Sequence, residues 1–190
     1  MEPIQGNVSI DAQNIMPIIK KWLYSDKDIF IREVVSNGCD AITKLRMVDS
    51  AAAQNCSIHV EVDKAARELR FIDDGVGMTE DEVKTNINQV AFSGAKSFME
   101  EYAKNEDQEN SGIIGHFGLG FYSSFMVADK VTVISKKYGS DEAWKWESEG
   151  ADGYVIEPYE KDEVGTEIIM HIKPSSEEED YVQYLDEYKI

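Results

Sequence analysis

The feature that most constrains the fold is the stretch from residue 29 to residue 47, IFIREVVSNGCDAITKLRM, which predicts one helix with three faces. At about 100° per residue, its apolar side chains gather on one broad arc that must be buried. Basic and hydroxyl side chains occupy the opposite, solvent side. Between these faces, Glu33, Asn37, Asp40 and Lys44 follow at steps of four, three and four residues and form one polar stripe along the helix.

A polar stripe on the border of a core is ordinary by itself, because an Asp40–Lys44 pair at i,i+4 adds only a few tenths of a kcal/mol. Gly38 favours a different interpretation. Glycine in the middle of a helix costs ~1 kcal/mol relative to alanine, and it marks a close approach of another segment. The stripe therefore becomes a candidate site if other segments face it.

Two glycine-containing segments can face this stripe. The first, D-x-G-x-G at residues 73–77, joins a predicted strand to a helix with capping-box residues Thr79 and Glu82. Its glycines allow a sharp turn, and its carboxylate can accept a hydrogen bond from an amino group such as that of adenine. The second, G-x-x-G-x-G at residues 115–120, opens an apolar helix and offers backbone N–H groups to a phosphate. It is neither a Walker A motif nor a Rossmann fingerprint.

The remaining pattern predicts an α/β fold: a two-layer sandwich with a mixed, mostly antiparallel sheet, helices on one face and a nucleotide pocket under a mobile lid. A hairpin at residues 57–72 and the segments KVTVISK, AWKWESE, GYVIEPY and GTEIIMHIK supply the strands. The lid is the polar, turn-rich region at about 91–120. A first helix is predicted over residues 10–24 and a last helix over residues 177–188, capped by Ser176 and Glu179.

Length and composition limit the class of protein. A chain of 190 residues that is 42% hydrophobic buries one core, so one domain is expected over residues 1–190. The net charge of -18 argues against a nucleic-acid partner. The sequence has no apolar run of membrane length and no signal segment, so no membrane association and a cytoplasmic location are expected. Two cysteines and three scattered histidines make neither a disulfide framework nor a metal-ligand set.

The E-x-x-x-N helix, the D-x-G-x-G turn and the G-x-x-G-x-G loop together resemble the ATP-binding fold shared by gyrase B, histidine kinases, MutL and heat-shock protein 90. The segments IFIREVVSNGCDAITKLR, IDDGVGMTEDEV, GHFGLGFYSSFMVADKV and GTEIIMHI are most similar to the heat-shock protein 90 chaperones. The resemblance covers essentially the whole chain. It implies an amino-terminal ATP-binding domain, with middle and C-terminal dimerisation domains absent here, and weak ATP hydrolysis by the isolated domain. It also implies unfolded client proteins and a homodimer for the full-length chaperone, and a monomer for this chain.

The resemblance further implies roles for single residues. Glu33 would be the general base that activates the attacking water, and Asn37 would bind Mg²⁺ through its amide oxygen. Asp73 would accept a hydrogen bond from the adenine amine, while Gly77 and Thr166 would hold waters around the base. The other implied contacts to ATP or ADP are Asp40, Lys44, Met78 and Asn86 on the pocket walls, and Gly115, Phe117, Gly118, Leu119, Gly120 and Phe121 in the phosphate loop.

Four positions depart from the family pattern. Phe92 stands where a basic residue near the phosphates is usual, His116 stands where glutamine is usual, and Gly38 and Cys39 replace a commoner Ala-Ser pair. Two other functions remain open. One is a related topoisomerase, mismatch-repair ATPase or kinase domain. The acidic net charge argues against the two DNA-binding classes, and the sequence of the glycine loop argues against all three. The other is a module that senses nucleotide without hydrolysing it. Glu33 discriminates, because such a module needs no general base.

Overall fold

The chain folds around one antiparallel sheet. The computed structural model describes residues 4–6, 28–89, 120–150 and 153–190, and of residues 4–6, 88 and 89 the backbone alone. The strands are β1 (Ile4–Gly6), β2 (Ile58–Asp63), β3 (Glu68–Asp73), β4 (Ala128–Lys136), β5 (Ala143–Ser148), β6 (Tyr154–Tyr159) and β7 (Gly165–Ile172). The helices are α1 (Ile29–Val48), α2 (Glu80–Val83) and α3 (Ser124–Val127). A π-helical segment, Lys84–Gln89, continues α2, and 3₁₀ turns cover Gly120–Ser123 and Val182–Leu185.

The strand order across the sheet is β1-β6-β5-β4-β7-β3-β2. Every neighbouring pair of strands in the described residues is antiparallel. The predicted α/β class with its mostly antiparallel sheet is confirmed, and the described part of the chain shows no parallel pair. The predicted hairpin is the β2–β3 pair, and the four later segments are β4 to β7.

Helix α1 has the three faces that its sequence predicts. Phe30 and Val34 are buried on its apolar arc, as is Gly38. The residues expected in solvent, Arg32, Ser36, Thr43 and Arg46, are all exposed. The helix ends at Asp49, whose backbone is extended and whose carboxylate accepts hydrogen bonds from the next turn. Because one arc is apolar, the helix packs against the sheet through that arc alone.

All described helices contribute to one core on a single face of the sheet. Phe30 of α1 contacts Tyr184 edge-to-face, at 5.0 Å between ring centroids. Trp146 of β5 is 1% exposed and stacks on Tyr154 of the neighbouring strand. Burial of each such side chain is worth roughly 1.5–3 kcal/mol, so this face of the sheet supplies most of the driving force for folding.

The opposite face of the sheet carries charged side chains in pairs. Arg70 contacts Glu68 at 2.6 Å and Glu167 at 3.3 Å, and Lys145 contacts Glu157 at 2.7 Å. These pairs are partly exposed, so each contributes about 1 kcal/mol or less. The helices of the described residues therefore lie on one face of the sheet, as predicted.

The predicted last helix over residues 177–188 is wrong, because only Val182–Leu185 is helical there and it forms a 3₁₀ turn. Ser176 accepts the amide of Glu179 as predicted, but its own amide donates back to the Glu179 carbonyl at 2.8 Å and closes a separate turn. The chain then buries Tyr184 against the core instead of continuing a helix. The predicted first helix at residues 10–24 and the lid, apart from Gly120, lie outside the described residues.

Candidate functional site

A cavity of about 330 Å³ lies between α1, the inner face of the sheet, the D-x-G-x-G turn and the start of α2. Eleven of the fifteen sequence-predicted site residues fall within the described part of the chain, and all eleven line this cavity. They are Glu33, Asn37, Asp40, Lys44, Asp73, Gly77, Met78, Asn86, Gly120, Phe121 and Thr166. The other four, Gly115, Phe117, Gly118 and Leu119, lie outside the described residues.

The polar stripe of α1 forms one wall of the cavity. Glu33 is half-buried, whereas Asn37, Asp40 and Lys44 are exposed. Within the described residues, none of these four side chains takes part in an ion pair or a side-chain hydrogen bond. The i,i+4 ion pair between Asp40 and Lys44 is not formed. The polar groups of the stripe are therefore available to bind a ligand.

Gly38 marks a close approach, as its position in mid-helix predicts. A Cβ atom added there would lie 2.9 Å from the Cδ1 atom of Ile58 and 3.4 Å from the Cβ atom of Asp73. A side chain there would require the end of the Ile58 side chain to shift. Glycine at this position keeps the stripe next to the strand that carries the site carboxylate.

The D-x-G-x-G turn packs its backbone directly on α1. The amide of Val76 donates to the carbonyl of Ala41 at 3.0 Å, and a Cβ atom on Gly75 would lie 2.5 Å from that of Ala41. Gly77 has a φ of +64°, and its added Cβ atom would lie 1.9 Å from the carbonyl oxygen of Lys136. Only glycine fits this conformation and this contact, so the motif is required for the turn to close the cavity.

Asp73 ends β3 at the floor of the cavity. One carboxylate oxygen accepts the amide of Gly75 at 2.9 Å. Burial raises the pKa of Asp73 to about 6. The hydrogen bonds from the amides of Gly75 and Thr166 act to lower this pKa, whereas the nearby Asp74 charge acts to raise it. The backbone donors do not offset the loss of water, so the carboxylate is under-satisfied and suited to accept a further hydrogen bond from a ligand.

The side chain of Glu33 lies against the backbone of Gly120. A Cβ atom on Gly120 would lie 2.2 Å from the Oε2 atom of Glu33, which is far shorter than a van der Waals contact. The carboxylate thus occupies the space that any other residue at position 120 would fill. The last glycine of the G-x-x-G-x-G loop brings its backbone against the predicted general base.

Some residues at the site were not predicted as functional. Lys137 and Glu82 line the cavity and form an ion pair at 2.7 Å. Burial raises the pKa of Glu82, but hydrogen bonds from Lys137 and Thr79 outweigh it and hold that pKa below its usual range. Ser135 lies behind the cavity wall and accepts the amide of Met78 at 2.9 Å. A signal for Ser135 exists in the sequence, since it shares an inward face of β4 with two buried valines.

Among the described residues, the cavity offers one amide oxygen of the type that a nucleotide-bound cation accepts. No group of three or more His, Cys, Asp or Glu side chains in the described residues could hold a metal ion. Asn37 lines the cavity one turn after Glu33, and its amide oxygen is a ligand of the type that Mg²⁺ accepts when phosphates and water fill its other positions. A single protein ligand fits such a shared site.

The cavity contains three features that a ligand can use. Its floor has a buried carboxylate that accepts a hydrogen bond, its wall has a second carboxylate that can receive a proton, and Met78 and Phe121 give apolar contact area between them. Asn86 donates to the sulfur of Met78 at 3.6 Å, which orients that side chain. This combination suits a ligand with a flat, amine-bearing ring at one end and a charged, reactive group at the other.

The fold and the site define a class of nucleotide-binding ATPase domain, and comparison with known proteins agrees. Residues 29–176 match the family model described as histidine kinase-, DNA gyrase B-, and HSP90-like ATPase. The chain belongs to this family.

Curated relatives narrow the similarity to chaperones. The chain is 46% identical over 186 residues to the chaperone protein HtpG of Bacillus subtilis, 45% identical to that of Natranaerobius thermophilus and 43% identical to that of Clostridium perfringens. These alignments cover 95% of this chain and 29–30% of each relative, so the chain spans about 30% of their length. The predicted resemblance to heat-shock protein 90 chaperones is confirmed. Among the described residues, none of the helices is both long and apolar enough to cross a membrane.

Proposed function

We propose that this chain binds Mg-ATP in the cavity beside α1 and hydrolyses it slowly, as the nucleotide-binding domain of an HtpG-type chaperone. The observation that most strongly supports this is the convergence of eleven predicted residues from six separate segments on one cavity. Glu33 and Thr166 both line the cavity, although they are 133 positions apart in the sequence. Random placement on a 190-residue chain would not bring them together.

At the base end, Asp73 accepts a hydrogen bond from the exocyclic amine of adenine. Its burial supports this role, because a carboxylate with few donors gains most from a new one. Thr166 faces it from the adjacent strand, and the backbone of Gly77 completes the pocket. Met78 packs against the ring, and Asn86 faces the sugar and phosphates.

At the phosphate end, Glu33 positions the attacking water and accepts its proton. Asn37, Asp40 and Lys44 continue the wall from Glu33. Asn37 holds Mg²⁺, which supplies charge neutralisation to the phosphates when it is bound. The four loop residues outside the described part, Gly115, Phe117, Gly118 and Leu119, donate backbone amides to the phosphates together with Gly120 and Phe121.

Further proposals follow from the similarity to HtpG. The chain is one domain of a longer cytoplasmic chaperone that acts on unfolded client proteins as a homodimer through domains not contained in residues 1–190. The lid at about 91–120 covers the nucleotide. Hydrolysis by this domain alone is weak, because other parts of the chaperone contribute to the reaction.

The test of this proposal separates binding from hydrolysis. Glu33→Gln preserves the shape of the side chain against Gly120 but cannot accept a proton, so we expect nearly unchanged Mg-ATP affinity and a loss of hydrolysis of about 10²-fold or more. Glu61→Gln, at an exposed position of β2, is the matched control and should hydrolyse ATP as the parent does. Binding is measured by calorimetry and hydrolysis by phosphate release. Equal residual hydrolysis in parent and Glu33→Gln would contradict the assignment and favour a nucleotide sensor.

A further inference from the structure

Helix α1 is tied to the rest of the fold at both ends by a tyrosine hydroxyl. Tyr184 donates to the carboxylate of Asp28, the residue before the helix, at 3.0 Å. Tyr138 donates to the carboxylate of Asp49, the residue after the helix, at 2.7 Å. Asp28 is the N-cap residue, yet within the described residues its side chain makes no capping hydrogen bond. Its carboxylate therefore ties the start of α1 to the 3₁₀ turn at Val182–Leu185 instead of capping its own helix.

The first turn of α1 packs on the same tyrosine. Phe30 and Tyr184 are both almost completely buried, and their rings meet edge-to-face at 5.0 Å between centroids. Ile29 is buried in the same turn. The ring of Tyr184 thus contacts Phe30 while its hydroxyl binds Asp28, so one side chain limits both the translation and the rotation of this turn.

Glu33 follows directly on this first turn. It lies three residues after Phe30, and residues three or four apart are neighbours on the surface of a helix. Its carboxylate fits so closely against Gly120 that an added Cβ atom would lie 2.2 Å from Oε2. A rotation of the first turn would therefore move the Glu33 carboxylate along the backbone of Gly120.

The C-terminal segment 173–185 also holds the other side of this contact. The ammonium group of Lys173 donates to the carbonyls of Phe125 at 2.8 Å and Met126 at 3.0 Å. Both carbonyls belong to α3, which directly follows the 3₁₀ turn at Gly120–Ser123. One segment of chain therefore fixes both elements that meet at the proposed general base.

The middle of α1 is anchored by different contacts. The amide of Val76 donates to the carbonyl of Ala41 at 3.0 Å, and Gly38 lies against the side chain of Ile58. Asn37 is next to these anchors, more than one turn away from the start of the helix. A change in the first turn therefore displaces the proposed general base more than it displaces the proposed Mg²⁺ ligand.

We propose that Tyr184 is a positioning residue for ATP hydrolysis, which fixes the first turn of α1 and so holds the Glu33 carboxylate in place against Gly120. This inference rests on the proposed hydrolysis. Tyr184 touches no nucleotide and acts only through the helix. Its hydroxyl therefore contributes to kcat and leaves nucleotide affinity nearly unchanged.

The test removes the hydrogen bond from either side. Tyr184→Phe keeps the ring and loses the hydroxyl, and we expect kcat for phosphate release at saturating Mg-ATP to fall about tenfold. The Kd for Mg-ADP, measured by calorimetry, should stay within about twofold of the parent value. Asp28→Ala should lose kcat to the same extent, and the double variant should lose no more than either single variant, because both changes break one bond. Asp28→Asn keeps an oxygen acceptor and should retain most of the parent rate.

The matched control is Tyr138→Phe. It removes the same kind of tyrosine–aspartate hydrogen bond from the opposite end of the same helix, far from the first turn. We expect this variant to hydrolyse ATP at the parent rate. An equal fall of kcat in Tyr138→Phe and Tyr184→Phe would indicate that α1 needs only general tethering, and it would overturn the inference.

The outcomes separate this inference from the proposed function. Urea unfolding establishes that each variant is folded at the assay temperature, and Asp28→Ala, at an exposed position, decides the question if Tyr184→Phe does not fold. A parent kcat in the folded variant, or a loss of ADP affinity as large as the loss of kcat, would overturn the role of Tyr184 and leave the nucleotide site intact. Absence of hydrolysis by the parent chain would overturn both the inference and the proposed function.

Discussion

Replacing Asp73 with asparagine should make the empty domain more stable. In the folded chain, burial raises the pKa of Asp73 to about 6 from an ordinary value of 3.8. The folded state therefore holds this proton more tightly than the unfolded state does. As pH rises from about 4 to about 6, the unfolded state releases its proton first, and the stability of the folded chain falls.

The size of this effect follows from the two pKa values. Above pH 6 the ionised Asp73 destabilises the fold by about 3 kcal/mol, and at pH 5 by roughly half of that. Asparagine cannot ionise and still offers a carbonyl oxygen to the Gly75 amide. The stability of Asp73→Asn relative to the parent should therefore increase by roughly 1–2 kcal/mol between pH 5 and pH 8.

Urea unfolding of both proteins at pH 5 and pH 8, without nucleotide, measures this difference. The carbon chemical shift of the Asp73 carboxyl, followed through a pH titration, checks the pKa directly. The pH dependence is the informative quantity, because any packing change caused by asparagine acts equally at both pH values. A stability difference that does not change with pH would refute the reasoning about a desolvated carboxylate.

The remaining predictions concern groups that build the cavity. Gly77→Ala should lower stability by at least about 2 kcal/mol in urea unfolding, because it forces a side chain into the left-handed region and onto a neighbouring backbone; a change below about 0.5 kcal/mol would contradict this. Gly120→Ala should displace the Glu33 carboxylate and slow phosphate release by about 10²-fold, and an unchanged rate would count against that contact. Glu82→Gln should lose the ion pair to Lys137 and cost about 0.5–1 kcal/mol at pH 7, with less difference from the parent as pH falls through the lowered pKa of Glu82.

Much of this fold and site can be predicted from the sequence, because the local sequence patterns favour the same structure that the tertiary packing requires. The period of α1 separates buried, exposed and site residues, and the structure keeps that separation. The capping box at Thr79 and Glu82 forms as its spacing predicts. Gly38 signals a close approach that the contact with Ile58 explains.

The parts that sequence reasoning misses depend on contacts between distant residues. The last helix fails because Tyr184 is buried and donates to Asp28, 156 positions away, which favours a short 3₁₀ turn at that place. The sequence places Ser135 on the inward face of β4, but its hydrogen-bond partner Thr166 is found only when β7 lies beside β4. The ion pair between Lys137 and Glu82 has no local signal, because its partners meet only when the sheet forms.

We propose that the cavity beside α1 binds a nucleotide with adenine at Asp73. The most direct test is calorimetric titration of the parent chain and of Asp73→Asn with Mg-ADP. We expect one-to-one binding to the parent and an affinity at least about tenfold lower in the variant, although the variant is the more stable protein. Equal affinity in both proteins, or no binding to the folded parent, would contradict the account.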